Sequence, residues 1–445
     1  VLRVLETRLM TLRGILESSI ADLTFEDVEG LIQEEAEEGP RLELKRSLPA
    51  NDRQGDPWMT GAKRFSNPAR DGLAKEVVAL ANAYGGAVVV GVDEKDDHPK
   101  RARGPNPILI PRIAACAEQV QQALDSLIDP PLAVLEVRGI EKPDSNGEGV
   151  LVIRTGPSTR APHGHGRPPL AYMRRGSRSE PMTMRDLQST LFETRTRGER
   201  INALLEDRRR ALTHMVEKGP HGILLERGEQ PFLGRSALYF RCTLVAVENL
   251  QLRADEAVRT TPIIRPMLGG SFSTSAFGSG SFHYGWAHRV NGVESIDHSS
   301  RHFARWFVGD QGIVDAYGLM TLDTYRGRSG VFAPILFPPV AIQVLGLGEQ
   351  LRRVARRPEV ELVVECEFIN SGTATAIHGD GRAFDVGPQI PSGSIRIGPF
   401  SFGNIDDFQA VYAEIERGIW HGLGLPVKSR INFPMAEWMA EITRS

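Results

Sequence analysis

Leu2, Leu5, Leu9, Leu12 and Leu16 recur at spacings of three and four, which predicts a helix over residues 1–17 with one apolar face. That face needs a partner, either the rest of its domain or a second subunit. A second helix is predicted from Thr24, whose hydroxyl can cap free amides, with Glu26 and Asp27 favourable in its first turn. It runs through Val28, Leu31 and Ile32 and stops at the breaker Gly39-Pro40. The pattern continues with a strand over 41–48, a loop or insertion over 51–68, a helix over 69–84 closed by Gly85-Gly86, and an apolar strand over 87–92. A helix over 111–127 and strands over 132–137, 149–154 and 170–174 follow, then a long polar helix from about Met184. This order, β-α-β-α-β-β-β, predicts an α+β fold of one sheet with helices packed on it.

The polar helix is arginine-rich through Arg208-Arg209-Arg210 and reads as a connector, which sets two domains, 1–205 and 206–445. A chain of 445 residues is too long for one core. Beyond the connector the pattern gives a strand over 236–248, a Gly/Ser/aromatic loop over 269–286, a helix over 339–356, a strand over 360–368 and a helix over 406–420. That is a second α+β domain, without an internal repeat. The loop's Phe272, Phe277, Phe282, Tyr284 and Trp286 could stack unpaired bases, contact a partner or simply pack.

Composition narrows the function classes. A net charge of −3 excludes a protein that coats a polyanion by bulk charge, so any nucleic-acid contact must be a local basic patch. One is available: residues 174–210 hold 10 Arg against 6 acids. Its alternative reading is a solvated interdomain helix. Cys116, Cys242 and Cys366 lack the paired spacings of a zinc site and read as reduced thiols in a cytoplasm. The first residues do not form a signal peptide, and no stretch reaches membrane-spanning length. There is no Walker motif for ATP hydrolysis.

Two stretches carry candidate chemistry. In Glu38-Gly-Pro-Arg-Leu-Glu43-Leu-Lys45, a tight reversal lets two carboxylates five residues apart converge, and strand alternation puts Glu43 and Lys45 on one face. The bland reading is a solvated helix end beside an amphipathic edge strand. In residues 75–94 (KEVVALANAYGGAVVVGVDE), a helix ends at glycine and an apolar strand delivers Asp93 at its carboxyl end, with Val89, Gly91 and Asp93 on one face by alternation. The alternative reading is that Asp93 starts a turn, continued by Asp96 and Asp97. His298 and His302 have the spacing of a helical metal pair but no accompanying ligands, and His163 and His165 lie in a Gly/Pro-rich loop expected to face solvent.

Together, E-x4-E-x-K, KE-x-x-ALAN-x-x-GG and a hydrophobic strand ending in GVD resemble the Schlafen AlbA-type domain. The stretch Ala171-Tyr172-Met173-Arg174-Arg175-Gly176-Ser177 resembles its closing Y-x-R-x-G-S strand. The resemblance covers about residues 24–200; the segment 51–68 is longer than expected there. It implies an RNA- or DNA-binding fold that, in Schlafen nucleases, cleaves structured RNA such as tRNA with a divalent metal. The family's three catalytic acids would fall on Glu38, Glu43 and Asp93, holding Mg²⁺ or Mn²⁺ through hard oxygen ligands. Lys45 would either stabilise charge on the phosphate or form an ordinary ion pair. Arg174, Arg175, Arg178 and Arg185 would grip the nucleic acid.

The leading expectation is a metal-dependent endoribonuclease, with RNA favoured over DNA, a defensive role in a prokaryote by analogy, and no membrane. The resemblance implies two AlbA-like lobes paired around the substrate; since the ALAN-x-x-GG motif occurs once here, two chains are expected to supply them as a homodimer. The alternative is a non-catalytic nucleic-acid-binding regulator. A restriction-type DNA nuclease using Glu43-Leu-Lys45 is disfavoured, because the acid that should precede ExK on its own strand is missing.

Overall fold

Helix α1 (Phe25–Gln33) begins where the Asp27 carboxylate accepts both the backbone N–H and the hydroxyl of Thr24, at 2.7 and 2.8 Å. This computed structural model describes residues 14–51, 55–95, 100–218, 237–260, 285–298, 302–321, 323–325, 328–332, 337–370, 372, 374–379, 384–390, 392–403 and 407–426. Most of the leucine-faced segment 1–17 and nearly all of the aromatic loop 269–286 lie outside the described residues. The chain divides into two compact units, Val1–Gly198 with Arg356–Glu361, and Glu199–Ala355 with Leu362–Ser445. Among the described residues no helix is long and apolar enough to cross a membrane.

In the first unit, β1 (Leu42–Lys45) is the edge strand and pairs in parallel with β2 (Gly86–Val90). Between them α2 (Asn67–Ala81) starts at Ser66, whose hydroxyl accepts the Ala69 N–H at 3.3 Å. Gly86 is where helix returns to sheet: with φ at +142°, a Cβ there would meet the Arg41 carbonyl at 2.2 Å. Next come the short hairpin β3 (Asp93–Glu94) and β4 (Ala102–Arg103), helix α3 (Ile113–Leu127), β5 (Ile128–Asp129), β6 (Leu135–Glu141) and β7 (Gly149–Thr155). Order in the main sheet is β1-β2-β7-β6. A second small sheet holds β5, β8 (Gly164–His165), β9 (Leu170–Arg175) and β10 (Arg178–Pro181), and α4 (Met184–Lys218) follows.

The main sheet is covered on both faces, which is why β2 is apolar throughout. One layer packs Leu73, Val77, Val88, Val90, Ile113, Val120 and Ile153; the other packs Phe25, Val28, Leu31, Leu42, Leu44, Ala87, Val89 and Val92. Residues 55–66 are not an idle insertion. Asp56 accepts the Trp58 and Ser66 amides, each at 2.9 Å, and Trp58 is buried, with its indole N–H on the Pro111 carbonyl at 2.7 Å. A polar stretch reads as loop from outside; here one tryptophan carries it into the core.

The second unit is built on a seven-stranded sheet, completing the mixed α+β chain. Its strands are β11 (Ala237–Ala246), β12 (Ala287–Arg289), β13 (Gly292–His298), β14 (His302–Gly309), β15 (Ile313–Thr321), β18 (Leu362–Asn370) and β21 (Gly393–Phe402), in the order β12-β13-β14-β15-β11-β18-β21. A smaller sheet holds β16 (Asp323–Tyr325), β17 (Arg328–Phe332), β19 (Ala374–Gly379) and β20 (Phe384–Ile390). Helices α5 (Ala254–Thr260), α6 (Pro338–Val354) and α7 (Phe408–Gly422) complete it. Residues 338–352 of α6 are all buried, and Phe337 packs between Phe240 and Phe368 at ring distances of 5.0 and 4.7 Å. All three cysteines are free and buried, and the sulfurs of Cys242 and Cys366 face each other across β11 and β18 at 3.4 Å. His298 and His302 end and begin successive strands, so the helical spacing assumed for a metal pair does not exist.

Candidate metal and nucleic-acid site

Glu38 and Glu43 flank the Gly39-Pro40 reversal at the sheet edge, and both are buried, 3% and 4% exposed. Glu38 reaches forward, so its Oε1 accepts the Leu44 N–H at 2.9 Å. Glu43 receives Lys45 on Oε1, and its Oε2 lies 2.5 Å from Arg174 Nη1. The expected convergence of the two acids, with Lys45 on the face of Glu43, is therefore what the reversal produces.

Arg174 is not a surface phosphate-binding residue. It is buried, donating from Nε to the Gly39 carbonyl at 3.2 Å, from Nη2 to the Leu42 carbonyl at 3.1 Å and from Nη1 to Ser179 Oγ at 3.3 Å. It staples β9 to the reversal and faces two carboxylates, Glu43 and, at 3.6 Å, Glu76. Glu76 escaped the sequence reading. It is buried on α2, accepts the Ser179 hydroxyl and lies 3.8 Å from Lys45. Its signal was available: it shares a helical face with Leu73 and Leu80, so a charged side chain stands on the core side.

The third acid beside Glu38 is Glu94, and Asp93 turns elsewhere. Asp93 is held by Arg103 at 3.0 Å, whereas Glu94 stands close enough to Glu38 to raise its carboxyl and shares Lys100 with it. The cause is a bulge at Gly91, where φ is +116° and both the Gly91 and Val92 amides bond to the Lys45 carbonyl, at 2.8 and 3.1 Å. Val92, rather than Gly91, rejoins the buried layer of Ala87 and Val89. Simple alternation fails at that residue, so the face that strand period assigns to Asp93 does not carry over past Gly91. A glycine inside a strand was the available warning.

The electrostatics follow from crowding. Burial, and then the Glu43 carboxylate, push the Glu38 carboxyl up to about 7; Glu94 adds to the rise and the Leu44 amide works against it. Burial disfavours the Lys45 ammonium, yet Glu43 and Glu76, with Glu38 behind them, hold its pKa above the ordinary value. Lys100 is raised likewise: its hydrogen bond to Glu94 and the charge of Glu38 outweigh burial.

Do these residues fit a divalent ion? Carboxylate oxygens are the right donors for Mg²⁺ or Mn²⁺, and the buried Oε2 atoms of Glu38, Glu43 and Glu94 accept no hydrogen bond. For Glu43 the 2.5 Å approach of Arg174 is an ion pair without hydrogen-bond alignment. Among the described residues no group of three or more His, Cys, Asp or Glu side chains is placed to hold a metal ion, so the acids supply donors without an assembled site. The donor chemistry fits, and Lys100, 2.7 Å from Glu94 and 3.9 Å from Glu38, stands where compensating charge is needed.

The remaining arginines are on the surface. Arg175 pairs with Asp186 at 2.6 Å, while Arg178 and Arg185 are exposed on β10 and α4. His163 and His165 do not face solvent as expected: His163 is fully buried, with Nδ1 2.6 Å from the Pro130 carbonyl, and His165 stacks on Tyr172. Asn82, from the ALAN stretch, holds that loop by donating to the His163 and Tyr172 carbonyls at 2.9 and 2.8 Å.

Residues 38–183 match the model of the family described as Schlafen, AlbA_2. That stretch is a Schlafen AlbA_2 domain, a class associated with nucleic-acid binding and nuclease activity, and the rest of the chain is unassigned. It contains every residue of the acid cluster. No curated protein and no solved structure matches the chain.

Proposed function

We propose that the first unit is a divalent-metal-dependent endonuclease acting on structured RNA, tRNA-like RNA foremost, with Mg²⁺ or Mn²⁺ held by Glu38, Glu43 and Glu94. The observation that carries this reading is a buried pair of carboxylates, Glu38 and Glu43, with the one-quarter exposed Glu94 beside Glu38, in a domain class that includes nucleases; the Oε2 atoms of Glu38 and Glu94 accept no hydrogen bond. A bound divalent ion supplies Lewis acidity toward a phosphodiester and a more acidic water. The chain's own part is to hold the acids in place: Arg174 fixes the reversal that carries Glu38 and Glu43, and Lys45 offers a one-quarter exposed ammonium beside Glu43. Arg178 and Arg185 are the exposed arginines available to track phosphates. A homodimer, with two chains supplying two lobes, and a defensive role belong to the same proposal.

One observation favours a second reading, a non-catalytic nucleic-acid-binding regulator. Glu38, Glu43, Glu76 and Glu94 meet Lys45, Lys75, Lys100 and Arg174, so the cluster is neutral by formal count without a metal. Incubation with total tRNA, ribosomal RNA and plasmid, with Mn²⁺ or with EDTA, separates the two. The nuclease reading expects RNA cleavage that EDTA abolishes. RNA bound but uncut in Mn²⁺ gives the regulator reading instead.

A further inference from the structure

We propose that Lys100 is a tethered counter-ion that occupies the charge position of the divalent ion between Glu38 and Glu94, and that it sets the metal concentration at which the site fills. The inference rests on the metal reading above and adds regulation of the same site.

Three cations touch Glu38, Glu43 and Glu94, and they are not equivalent. Arg174 is buried and bonded to two backbone carbonyls, so it cannot leave without opening the Gly39-Pro40 reversal. Lys45 is 26% exposed and held by both Glu43 and Glu76. Lys100 is 34% exposed; it makes one hydrogen bond, to Glu94 Oε1 at 2.7 Å, and stands 3.9 Å from Glu38 Oε2. The nearby Lys45 charge repels it. Lys100 is therefore the displaceable cation of the three.

Its backbone makes the displacement local. The Glu38 N–H donates to the Lys100 carbonyl at 2.9 Å, so the root of the side chain stays beside the site whatever the ammonium does. A flexible four-carbon stem can swing out by rotamer changes alone, and return when the metal leaves. The oxygens that Lys100 leaves unsatisfied, Oε2 of the 3% exposed Glu38 and Oε2 of Glu94, are the ones a hard cation needs. Here the Lys100 ammonium donates to one carboxylate oxygen, Glu94 Oε1, and leaves Glu38 Oε2 at 3.9 Å, whereas a divalent ion draws several oxygens inward.

The test is Mn²⁺ binding, followed by electron paramagnetic resonance of the free ion, on the full chain and on Lys100→Met, Lys100→Arg and Glu38→Gln. Lys100→Met is expected to bind Mn²⁺ about threefold to tenfold more tightly, the range set by removing one half-exposed ion pair. Lys100→Arg keeps the charge and is expected to bind like the parent. Equal or weaker Mn²⁺ affinity in Lys100→Met, with an unchanged melting curve, overturns the proposal. Glu38→Gln separates the two levels of inference. If it binds Mn²⁺ as well as the parent does, the metal site itself is wrong; if it loses Mn²⁺ while Lys100→Met shows no gain, only the counter-ion role is wrong.

Discussion

Each unit buries a glutamate in a charged cluster, and the two glutamates behave in opposite ways. In the second unit, Glu365 on β18 is fully buried and receives Arg241 on Oε1, with Arg209 on both oxygens, at 3.0 Å to Oε1. Burial pushes its carboxyl up, but the two guanidiniums outweigh burial and hold it below the ordinary value. Around it, Arg241 also reaches Thr243 at 2.8 Å and Glu367 at 3.2 Å, and Thr243 donates to Asp315 at 2.8 Å. Glu38 of the first unit has acids for neighbours and sits near 7. Buried charge alone does not mark a site, because a paired network is a sufficient structural explanation. Glu38, pressed against other carboxylates and reached by Lys100 only at 3.9 Å, is far less completely paired.

The largest expected effect tests whether that difference is functional. Glu43→Gln and Glu94→Gln should each lower metal-dependent RNA cleavage by about a hundredfold or more, as expected when a ligand of an essential ion is removed. Asp93→Asn should leave cleavage within a few fold, because Arg103 already occupies that carboxylate. Cleavage of tRNA in Mn²⁺, paired with filter binding in EDTA, gives both readings. An Asp93→Asn variant as inactive as Glu94→Gln would restore Asp93 to the metal set.

That exchange of Asp93 for Glu94 shows where the sequence ceases to be legible. Period and punctuation located α2, α3, β1, β2 and β7 of the first unit within a few residues, and the start of α1, although α1 ends at Gln33 rather than at the Gly39-Pro40 breaker. They also placed Glu38, Glu43 and Lys45 together, a local consequence of one tight reversal. The rest depended on long-range pairing. Nothing within the 97 residues between Glu76 and Arg174 announces that one guanidinium serves both Glu43 and Glu76. Arg174 reads as surface charge because arginine usually is, and only the backbone carbonyls of Gly39 and Leu42 bury it. In the second unit the same ambiguity hid whole strands. β15 was one of them: Asp315 gives it a polar position that looks solvated, yet Asp315 is buried and accepts the Thr243 hydroxyl.

Glutamine replacements at the two contrasted glutamates should move stability in opposite directions. Glu365→Gln leaves Arg209 and Arg241 short of their anion and should destabilise the second unit by roughly 3–5 kcal/mol in urea unfolding. Glu38→Gln should stabilise the first unit in metal-free buffer at pH 8. The sign follows from the raised pKa: between about 4.5 and about 7 the folded state holds a proton that the unfolded state has lost. Stability contributed by protonated Glu38 is therefore present below that window and is lost as pH rises through it. The amide of Gln removes the penalty while its oxygen still accepts the Leu44 N–H. The gain at pH 8, of the order of 1–3 kcal/mol, should shrink toward zero by pH 5. A pH-independent difference between Glu38→Gln and the parent would break the contrast between the two glutamates.

The smallest effect distinguishes arginines that hold the fold from arginines that hold a ligand. Arg178 and Arg185 are exposed and lie apart from the acid cluster's ion pairs, whereas Arg175 is already engaged by Asp186 at 2.6 Å. If the exposed pair tracks phosphates, replacing both by Ala should weaken RNA binding modestly at low salt. It should also make the slope of log affinity against log salt shallower by about 1–2, the yield of two lost phosphate contacts. Melting temperature and Mn²⁺ affinity should stay at parent values, since neither residue touches Glu38, Glu43 or Glu94. Arg174→Met should do the reverse. It removes a buried guanidinium bonded to the Gly39 and Leu42 carbonyls, so the protein loses stability before the salt slope changes. An unchanged slope in the Arg178 and Arg185 double variant moves the nucleic-acid surface away from β10 and the start of α4. The exposed cations of the β3–β4 hairpin, Arg101 and Arg103, are then the next to replace.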